Sequence, residues 1–297
     1  MTKPVFIPLT AELWVLRCAA LAYNTGAFIS GGEAVLIDPG LLPDEFAAIR
    51  RLLEAQRAQP VGLTLTHSHW DHVLGPEQFP GVPVLAQAEY PAAAARDERG
   101  ILREIARWEA AHKVPRRQPF SVPQPHRTFA AELTLAVGGT RLRLAHTPGH
   151  AADQLVLYHA ATGALWASDF LSDDEIPFVS DNLAAYERSL SMLAGWDIRV
   201  LVPGHGAATA EPAEIQGRLA ADRAYLAELR ERVTRAVAAG RSAAETVADC
   251  ADMAYRQRAA NEVYHGLNVE SAYLELGGQA DPHKVGWGQD WEVRDAA

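Results

Sequence analysis

Residues 67–72, His-Ser-His-Trp-Asp-His, place three histidines and an aspartate directly after the apolar run at 61–65. Neutral imidazole and carboxylate groups are ligands that zinc, iron and manganese accept in proteins. A surface turn that is rich in histidine by chance is the alternative, and it places no demand on the rest of the chain. A metal site does place one, because its remaining ligands must come from other segments that fold to meet this turn.

Four other stretches offer such ligands. Each places a histidine or an aspartate just past an apolar strand, and the four residues are Asp38, His150, Asp169 and His205. His146 competes with His150, but the Pro-Gly turn that lets the backbone bend sharply directly precedes His150. Because loops at strand ends of a rigid scaffold commonly carry functional residues, we expect these segments to complete the site.

The hydrophobic pattern divides the chain into two parts. Short apolar runs separated by turns predict a strand-rich region over 1–208, and helical periodicity dominates from about residue 209. Six apolar residues fall on one stripe of a long helix that ends at Gly240, namely Ile215, Leu219, Leu226, Leu229, Val233 and Val237. The sequence therefore predicts a main domain at 1–208 and a helical C-terminal extension at 209–297.

The charge and composition narrow the class of partner. A net charge of -10 argues against non-specific nucleic-acid binding and against attachment to anionic lipid, so the expected partner is a small-molecule substrate. No stretch is long and apolar enough for a membrane span, and residues 1–8 do not form a signal peptide, so we expect a cytoplasmic protein. Cys18 and Cys250 are too few for a disulfide framework.

The order His67-x-His69-x-Asp71-His72, then His150, Asp169 and His205, resembles the two-metal pattern of the metallo-β-lactamase superfamily. The resemblance covers residues 1–208 and every ligand position of the pattern is filled. It implies an α+β fold, an αββα sandwich of two mixed β-sheets with the helices outside and the site at one edge. The helical segment after residue 208 lies beyond the resemblance.

The resemblance also implies how the ligands are shared between two divalent metal ions. His67, His69 and His150 would hold the first ion, and Asp71, His72 and His205 the second. Asp169 would bridge both ions. Asp38 is similar to an early strand-end aspartate of the family and is expected to orient a ligand histidine. Zinc is the first expectation for both ions, with iron or manganese as alternatives.

The predicted reaction is hydrolysis. Two bound metals supply a hydroxide nucleophile near neutral pH and polarise the attacked oxygen, so no serine or cysteine nucleophile is needed. We predict that a metal-bridged hydroxide attacks a carboxylic ester, a thioester or a lactone. The predicted catalytic residues are Asp71, as a proton relay to the leaving group, and Asp169, as the bridge.

Departures from particular branches of the superfamily narrow the substrate class. Asp169 stands where true β-lactamases usually carry cysteine or serine, and His69 stands where flavodiiron oxidoreductases typically carry glutamate. Ser172 replaces the tyrosine of the acyl-homoserine-lactone lactonases, although residues 174–178 are similar to their following loop. The alternatives are a non-haem iron oxygenase of the persulfide dioxygenase kind, and a phosphodiesterase, which fits poorly with the acidic charge.

Loop position suggests four substrate-pocket residues beyond the metal ligands: Trp70, Phe178, Tyr264 and His265. The helical extension is expected to close over an acyl group. A non-enzymatic role is the remaining alternative, in which the extension binds a protein partner through Trp287 and Trp291. A homodimer formed through the extension is a further expectation.

Overall fold

The computed structural model describes residues 4–18, 20–116 and 118–279; Trp287 and Trp291 therefore lie outside the described residues. The first sheet has seven strands in sequence order. They are β1 (Ile7–Pro8), β2 (Leu13–Arg17), β3 (Asn24–Ser30), β4 (Glu33–Ile37), β5 (Gln59–Thr64), β6 (Val84–Gln87) and β7 (Arg127–Phe129). The first four strands pair antiparallel and β4 to β7 pair parallel, so the sheet is mixed.

The second sheet has five strands in the order β12-β11-β10-β9-β8. Their bounds are β8 (Glu132–Val137), β9 (Thr140–His146), β10 (Leu155–His159), β11 (Ala164–Trp166) and β12 (Val200–Val202). Only β11 and β12 pair parallel. The remaining pairs are antiparallel, which makes this sheet mixed as well.

Six α-helices occur in the described residues, together with a short 3-10 helix at Pro76–Gln78. They are α1 (Pro43–Ala55), α2 (Tyr90–His112), α3 (Leu183–Leu193), α4 (Pro212–Ala238), α5 (Ala243–Asp249) and α6 (Arg258–Glu275). No helix of the described ranges is both long and apolar enough to cross a membrane.

In the part of the chain that the structure describes, three buried apolar clusters define the layers. The first joins one face of the seven-stranded sheet to α1 and α2, and it includes Leu36 of β4, Ile49 of α1 and Ile105 of α2. The middle cluster lies between the two sheets and contains Phe28 and Trp166. The third joins the five-stranded sheet to the later helices. The chain is thus an αββα sandwich of two mixed sheets, which confirms the predicted fold.

The C-terminal helices pack on the second sheet and share its core. Ile215 and Leu226 of α4 and Val269 of α6 are fully buried in the same cluster as Leu201 of β12. Burial of each such side chain contributes about 1.5–3 kcal/mol, so the extension and the sheet stabilise each other. The predicted helical extension is confirmed, and the boundary at residues 208 and 209 stays a prediction.

Two short strands were not predicted from the sequence. β1 has only two residues, and β7 has three and follows a proline-rich connection. Strands this short show no alternation of apolar and polar residues, so periodicity cannot detect them.

Candidate metal centre

The seven predicted ligands lie together at one edge of the sandwich. Their loops follow the C-terminal ends of β5, β9, β11 and β12, and Asp38 follows β4. β4 runs parallel to β5 in one sheet, and β9, β11 and β12 share one direction in the other. Strands that share a direction end at the same edge, which explains how segments from residue 38 to residue 205 meet.

His67, His69, His150 and Asp169 form the first group, with one potential ligand atom from each within 4.8 Å of the others. The Nε2 atom of His150 lies 3.0 Å from Nδ1 of His69 and 3.3 Å from Nε2 of His67. Three imidazole nitrogens therefore face one point, which is the arrangement that a metal ion requires.

Asp71, His72 and His205 form the second group. Oδ2 of Asp71 lies 3.0 Å from Nε2 of His205 and 3.6 Å from Nε2 of His72. All three residues are buried. Apart from Asp169, which falls in the first group, the two groups divide the ligands as the resemblance implied.

Asp169 lies between the two groups. Its Oδ2 atom is 3.3 Å from Nε2 of His150 and 3.7 Å from Nε2 of His205. Its Oδ1 atom is 3.3 Å from Nε2 of His72. A carboxylate that faces imidazoles of both groups is placed to bridge two ions.

The donor set fits divalent metal ions. Oδ1 of Asp169 and Nε2 of His72 are buried, and although they lie 3.3 Å apart, neither has a hydrogen-bond partner among the described residues. Buried polar atoms without a partner are costly, and a bound cation removes that cost. The carboxylates of Asp38, Asp71 and Asp169 add negative charge that cations compensate. Imidazole and carboxylate accept zinc, iron and manganese, so the identity of the metal stays a prediction.

Groups outside the ligand set fix the orientation of the imidazoles. Oδ2 of Asp38 lies 3.0 Å from Nδ1 of His72. Nδ1 of His150 donates to the carbonyl of Phe178 at 2.9 Å, and Nδ1 of His205 donates to the carbonyl of Leu21 at 2.9 Å. In each case the contact keeps a hydrogen on Nδ1, so the neutral form of the imidazole directs its Nε2 lone pair at the cluster.

Burial and neighbouring charges shift the pKa values of the site histidines in opposite directions. Burial, reinforced by the imidazole of His150, lowers the pKa of His69 to about 3, and burial with the neighbouring imidazoles lowers that of His67. Burial also acts against the charged form of His205, but Glu175, Asp169 and Asp71 outweigh it and raise its pKa to about 10. His67 and His69 are thus held neutral, which is the form that binds metal.

The carboxylates respond to the same neighbours. Burial favours the neutral form of Asp169, but the imidazoles of His72, His205 and His67 overcome it and hold its pKa well below the ordinary value. Asp169 is therefore ionised at neutral pH, which is the form of a carboxylate that binds metal.

Two glycines allow the chain to pass close to the site. A Cβ atom on Gly204 would lie 2.2 Å from Oδ1 of Asp169. Gly149, directly before His150, has a φ of +134°, and a Cβ there would lie 2.3 Å from the backbone of Tyr186 on α3. A side chain at either position would displace a ligand or its supporting helix.

The structure brings two of the four predicted pocket residues to the site. The ring of Phe178 lies 5.7 Å from that of His150, and Tyr264 lies 5.3 Å from Phe178. Trp70 is next to two ligands in sequence, but its ring packs 5.4 Å from Trp108 of α2.

His265 does not reach the cluster. Both ring nitrogens have protein partners, since Nδ1 lies 2.9 Å from the hydroxyl of Tyr225 and Nε2 lies 3.0 Å from the carbonyl of Cys250. The residue is 4% exposed and its ring stacks on Tyr255. Its predicted contact with substrate has no support in these surroundings, because the ring faces the helical core.

The sequence interpretation did not identify three further residues. Oε1 of Glu175 lies 3.9 Å from Nδ1 of His205. The hydroxyl of Tyr23 donates to the carbonyl of Asp38 at 2.8 Å. Asn268 of α6 contacts the loop that carries Phe178. The available signal for Asn268 was the recurrence of polar residues at seven-residue intervals on one face of α6, at Asn261, Asn268 and Glu275.

The family model described as the metallo-beta-lactamase superfamily matches residues 20–205. That span covers more than half of the chain and includes every ligand position described above. This chain belongs to the metallo-beta-lactamase superfamily.

Several relatives are similar over part of the chain. The Beta-lactamase-like protein 2 homolog of Drosophila melanogaster is 27% identical over 192 residues, which is 64% of this chain and 60% of that protein. The acyl-coenzyme A thioesterase MBLAC2 of Gallus gallus is 28% identical over 58% of this chain and 68% of its own length. The chain thus spans less than two thirds of the Drosophila relative.

A solved structure shows the same fold over nearly the whole chain. The stereoselective inverting sec-alkylsulfatase Pisa1 from Pseudomonas sp. superposes with a TM-score of 0.76 at 17% identity, over 94% of this chain and 51% of that one. This chain therefore corresponds to about half of the sulfatase. The similarity concerns the fold alone.

Proposed function

We propose that this protein is a metal-dependent hydrolase that cleaves a carboxylic ester, thioester or lactone, with an acyl thioester as the first candidate. The observation that carries the proposal is Asp169, whose two oxygens face histidines of both ligand groups. The thioesterase name of the Gallus gallus relative supports the choice of an acyl thioester.

The ligand residues assign the chemistry. His67, His69 and His150 would hold one ion, Asp71, His72 and His205 the other, and Asp169 would face both. When bound, two such ions act as Lewis acids toward the substrate carbonyl and lower the pKa of water toward about 7. We expect Asp71 to accept a proton and pass it to the leaving group, because its carboxylate belongs to the second group and its lowered pKa keeps it ionised.

The cysteines do not offer a competing nucleophile. Burial, with a hydrogen bond to Glu45, raises the pKa of the Cys18 thiol to about 12. Burial likewise raises the pKa of Cys250 to about 11. Neither thiol is ionised at neutral pH, so a mechanism through a covalent acyl-cysteine has no support.

The rings of Phe178 and Tyr264 offer one wall for an apolar acyl group. Phe178 comes from the loop after β11, and Tyr264 comes from α6, so the helical extension contributes to this wall. An acyl chain that packs on these rings would be held beside His150. The aromatic wall favours an apolar acyl group over a phosphodiester.

A substrate panel tests the proposal. The zinc-loaded full-length chain is assayed with short- and long-chain acyl-CoA, an aryl acetate, a lactone and an aryl phosphodiester. Glutathione persulfide is assayed separately with an oxygen electrode. We expect thioester or ester hydrolysis that is lost in Asp169→Ala. Oxygen consumption with persulfide and no hydrolysis, or cleavage of the phosphodiester alone, would overturn the proposal.

A further inference from the structure

Helix α6 presents polar side chains at seven-residue intervals to one connecting segment of the main domain. Asn261, Asn268 and Glu275 all accept hydrogen bonds from its backbone, at Ile176, Val179 and Leu183 respectively. Seven residues correspond to nearly two helical turns, so the three side chains lie on one face of α6. One helix of the extension therefore contacts residues 176–183, which lead into α3 and form its start.

Asn268 uses its whole amide group at the middle of this contact. Its Nδ2 donates to the carbonyl of Pro177 at 2.6 Å, and its Oδ1 accepts from the backbone N–H of Val179 at 2.7 Å. The side chain is fully buried. These two bonds grip the backbone on either side of Phe178.

Phe178 is the residue whose carbonyl orients His150. It accepts a hydrogen bond from Nδ1 of His150 at 2.9 Å. Because a carbonyl only accepts, Nδ1 carries the hydrogen and Nε2 is left with its lone pair directed at His67 and His69. A shift of this carbonyl would rotate the imidazole or change its tautomer.

A series of buried hydrogen bonds from other helices fixes the orientation of the Asn268 amide. Nδ2 also donates to the hydroxyl of Tyr225 on α4 at 2.9 Å. That hydroxyl in turn donates to Nδ1 of His265, whose Nε2 donates to the carbonyl of Cys250. Since every donor in this series of hydrogen bonds has an acceptor, the amide of Asn268 has one favourable orientation.

We propose that Asn268 is a positioning residue for the metal centre. It sets the orientation of His150 through its hydrogen bonds to the backbone on both sides of Phe178. The inference rests on the proposed function only in taking His150 as a metal ligand. It also gives the helical extension a role, because an element outside the ligand-bearing loops controls one of the ligands.

Zinc affinity tests the inference without any substrate, so its outcome is independent of whether hydrolysis is detected. Full-length wild type, Asn268→Ala and Asn261→Ala are freed of metal and titrated with zinc against a chromophoric chelator. Asn261 is the matched control, because it is an equally buried amide on the same helix and contacts the same segment away from Phe178. Thermal unfolding of the metal-free variants reports any loss of fold.

We expect Asn268→Ala to weaken the affinity of one zinc ion by about 10-fold, the lower end of the range for loss of a direct partner of a ligand histidine, because Asn268 acts through the carbonyl of Phe178. Asn261→Ala should stay within about 3-fold of wild type, and the cobalt-substituted proteins should show an altered visible spectrum only for Asn268→Ala. Wild-type zinc affinity in Asn268→Ala, or equal losses in both variants, would overturn the inference.

A near-isosteric variant covers the case in which Asn268→Ala does not fold. Asn268→Asp keeps the acceptor for Val179 and loses the donor to Pro177. We expect the same direction of change in zinc affinity and in the cobalt spectrum. A folded Asn268→Asp with wild-type affinity would also overturn the inference.

Discussion

Oδ2 of Asp38 lies 3.0 Å from Nδ1 of His72, and both side chains are buried at the edge where the two sheets present their ligands. The same carboxylate accepts from the backbone N–H of Thr66 at 2.8 Å, so it ties a ligand to the start of the ligand-bearing turn. Asp38 has a φ of 42°, a conformation that aspartate and asparagine adopt more readily than other side chains. The residue combines an unusual backbone with a contact to a ligand, which is common at functional sites.

Asp38→Asn should weaken metal binding without unfolding the protein. Asparagine tolerates the backbone conformation but removes the negative charge beside His72, so we expect a loss of metal affinity of about 10- to 100-fold. Competition with a chelator measures it, and Asp44→Asn on the exposed start of α1 is the control. Unchanged affinity in Asp38→Asn would show that His72 does not depend on this carboxylate.

Gly204→Ala should reduce hydrolysis strongly. The added Cβ would lie 2.2 Å from Oδ1 of Asp169, so the carboxylate has to move away from the centre. Misplacement of a catalytic group by about 1 Å can cost about 100-fold in rate. Comparison of kcat for Gly204→Ala and Gly217→Ala measures the effect, since no atom of the described residues lies within 4 Å of a Cβ added to Gly217 in α4. Equal rates in the two variants would contradict the bridging role of Asp169.

Phe178→Ala separates substrate binding from metal binding. The change removes the ring that faces His150 and Tyr264 but keeps the carbonyl that orients His150. We expect KM for a long-chain acyl thioester to rise about 10-fold, corresponding to about 1.4 kcal/mol of lost apolar contact, with zinc affinity retained. Val263→Ala, at an exposed site of α6, is the control. An unchanged KM would remove Phe178 from the acyl site.

Asp153 should make stability depend on pH. Burial raises the pKa of Asp153 to about 6, although hydrogen bonds from the backbone and from Ser68 act in the opposite direction. A raised pKa means that the folded state binds the proton more tightly than the unfolded state. The resulting stability is fully present below about pH 4 and is lost as pH rises through about 6.

Asp153→Asn should abolish that dependence. We expect the free energy of unfolding of wild type relative to Asp153→Asn to fall by about 2 kcal/mol between pH 4 and pH 7, since each pKa unit corresponds to about 1.4 kcal/mol and most of the shift lies in this range. Denaturant unfolding at four pH values measures it, with Asp97→Asn on the exposed face of α2 as the control. If the free energies of unfolding of wild type and Asp153→Asn differed by the same amount at every pH in this range, the pKa of Asp153 would not be raised in the folded state.

The sequence predicted the ligand set because its signals are local. The three histidines of residues 67–72 lie within one turn, and the glycine turns beside His150 and His205 mark where strands end. The direction of each strand then determines whether these ends meet at one edge. Short apolar runs predict where the strands lie but do not give their directions. The αββα layering was predictable from the same pattern once the resemblance to the superfamily was included.

Contacts made by the helical extension were not predictable in the same way. Asn268 reaches Pro177 across 91 positions of sequence, and this contact depends on how α6 packs on α4 and α3. His265 lies only three residues before Asn268 and was predicted to face the substrate. Asn268 contacts the loop, whereas the ring of His265, one helical turn earlier, faces the core. The sequence alone does not determine how α6 is rotated about its axis, so it does not show which of the two side chains contacts the loop.

Titration of the metal-free protein with zinc, while the rate of acyl-CoA hydrolysis is recorded, tests the central claim most directly. We expect no hydrolysis before zinc is added and a rate that reaches its maximum at two equivalents per chain, because the two ligand groups joined by Asp169 act together. Asp169→Ala should show no such maximum. Full hydrolysis by a chain verified to be free of metal would contradict the account.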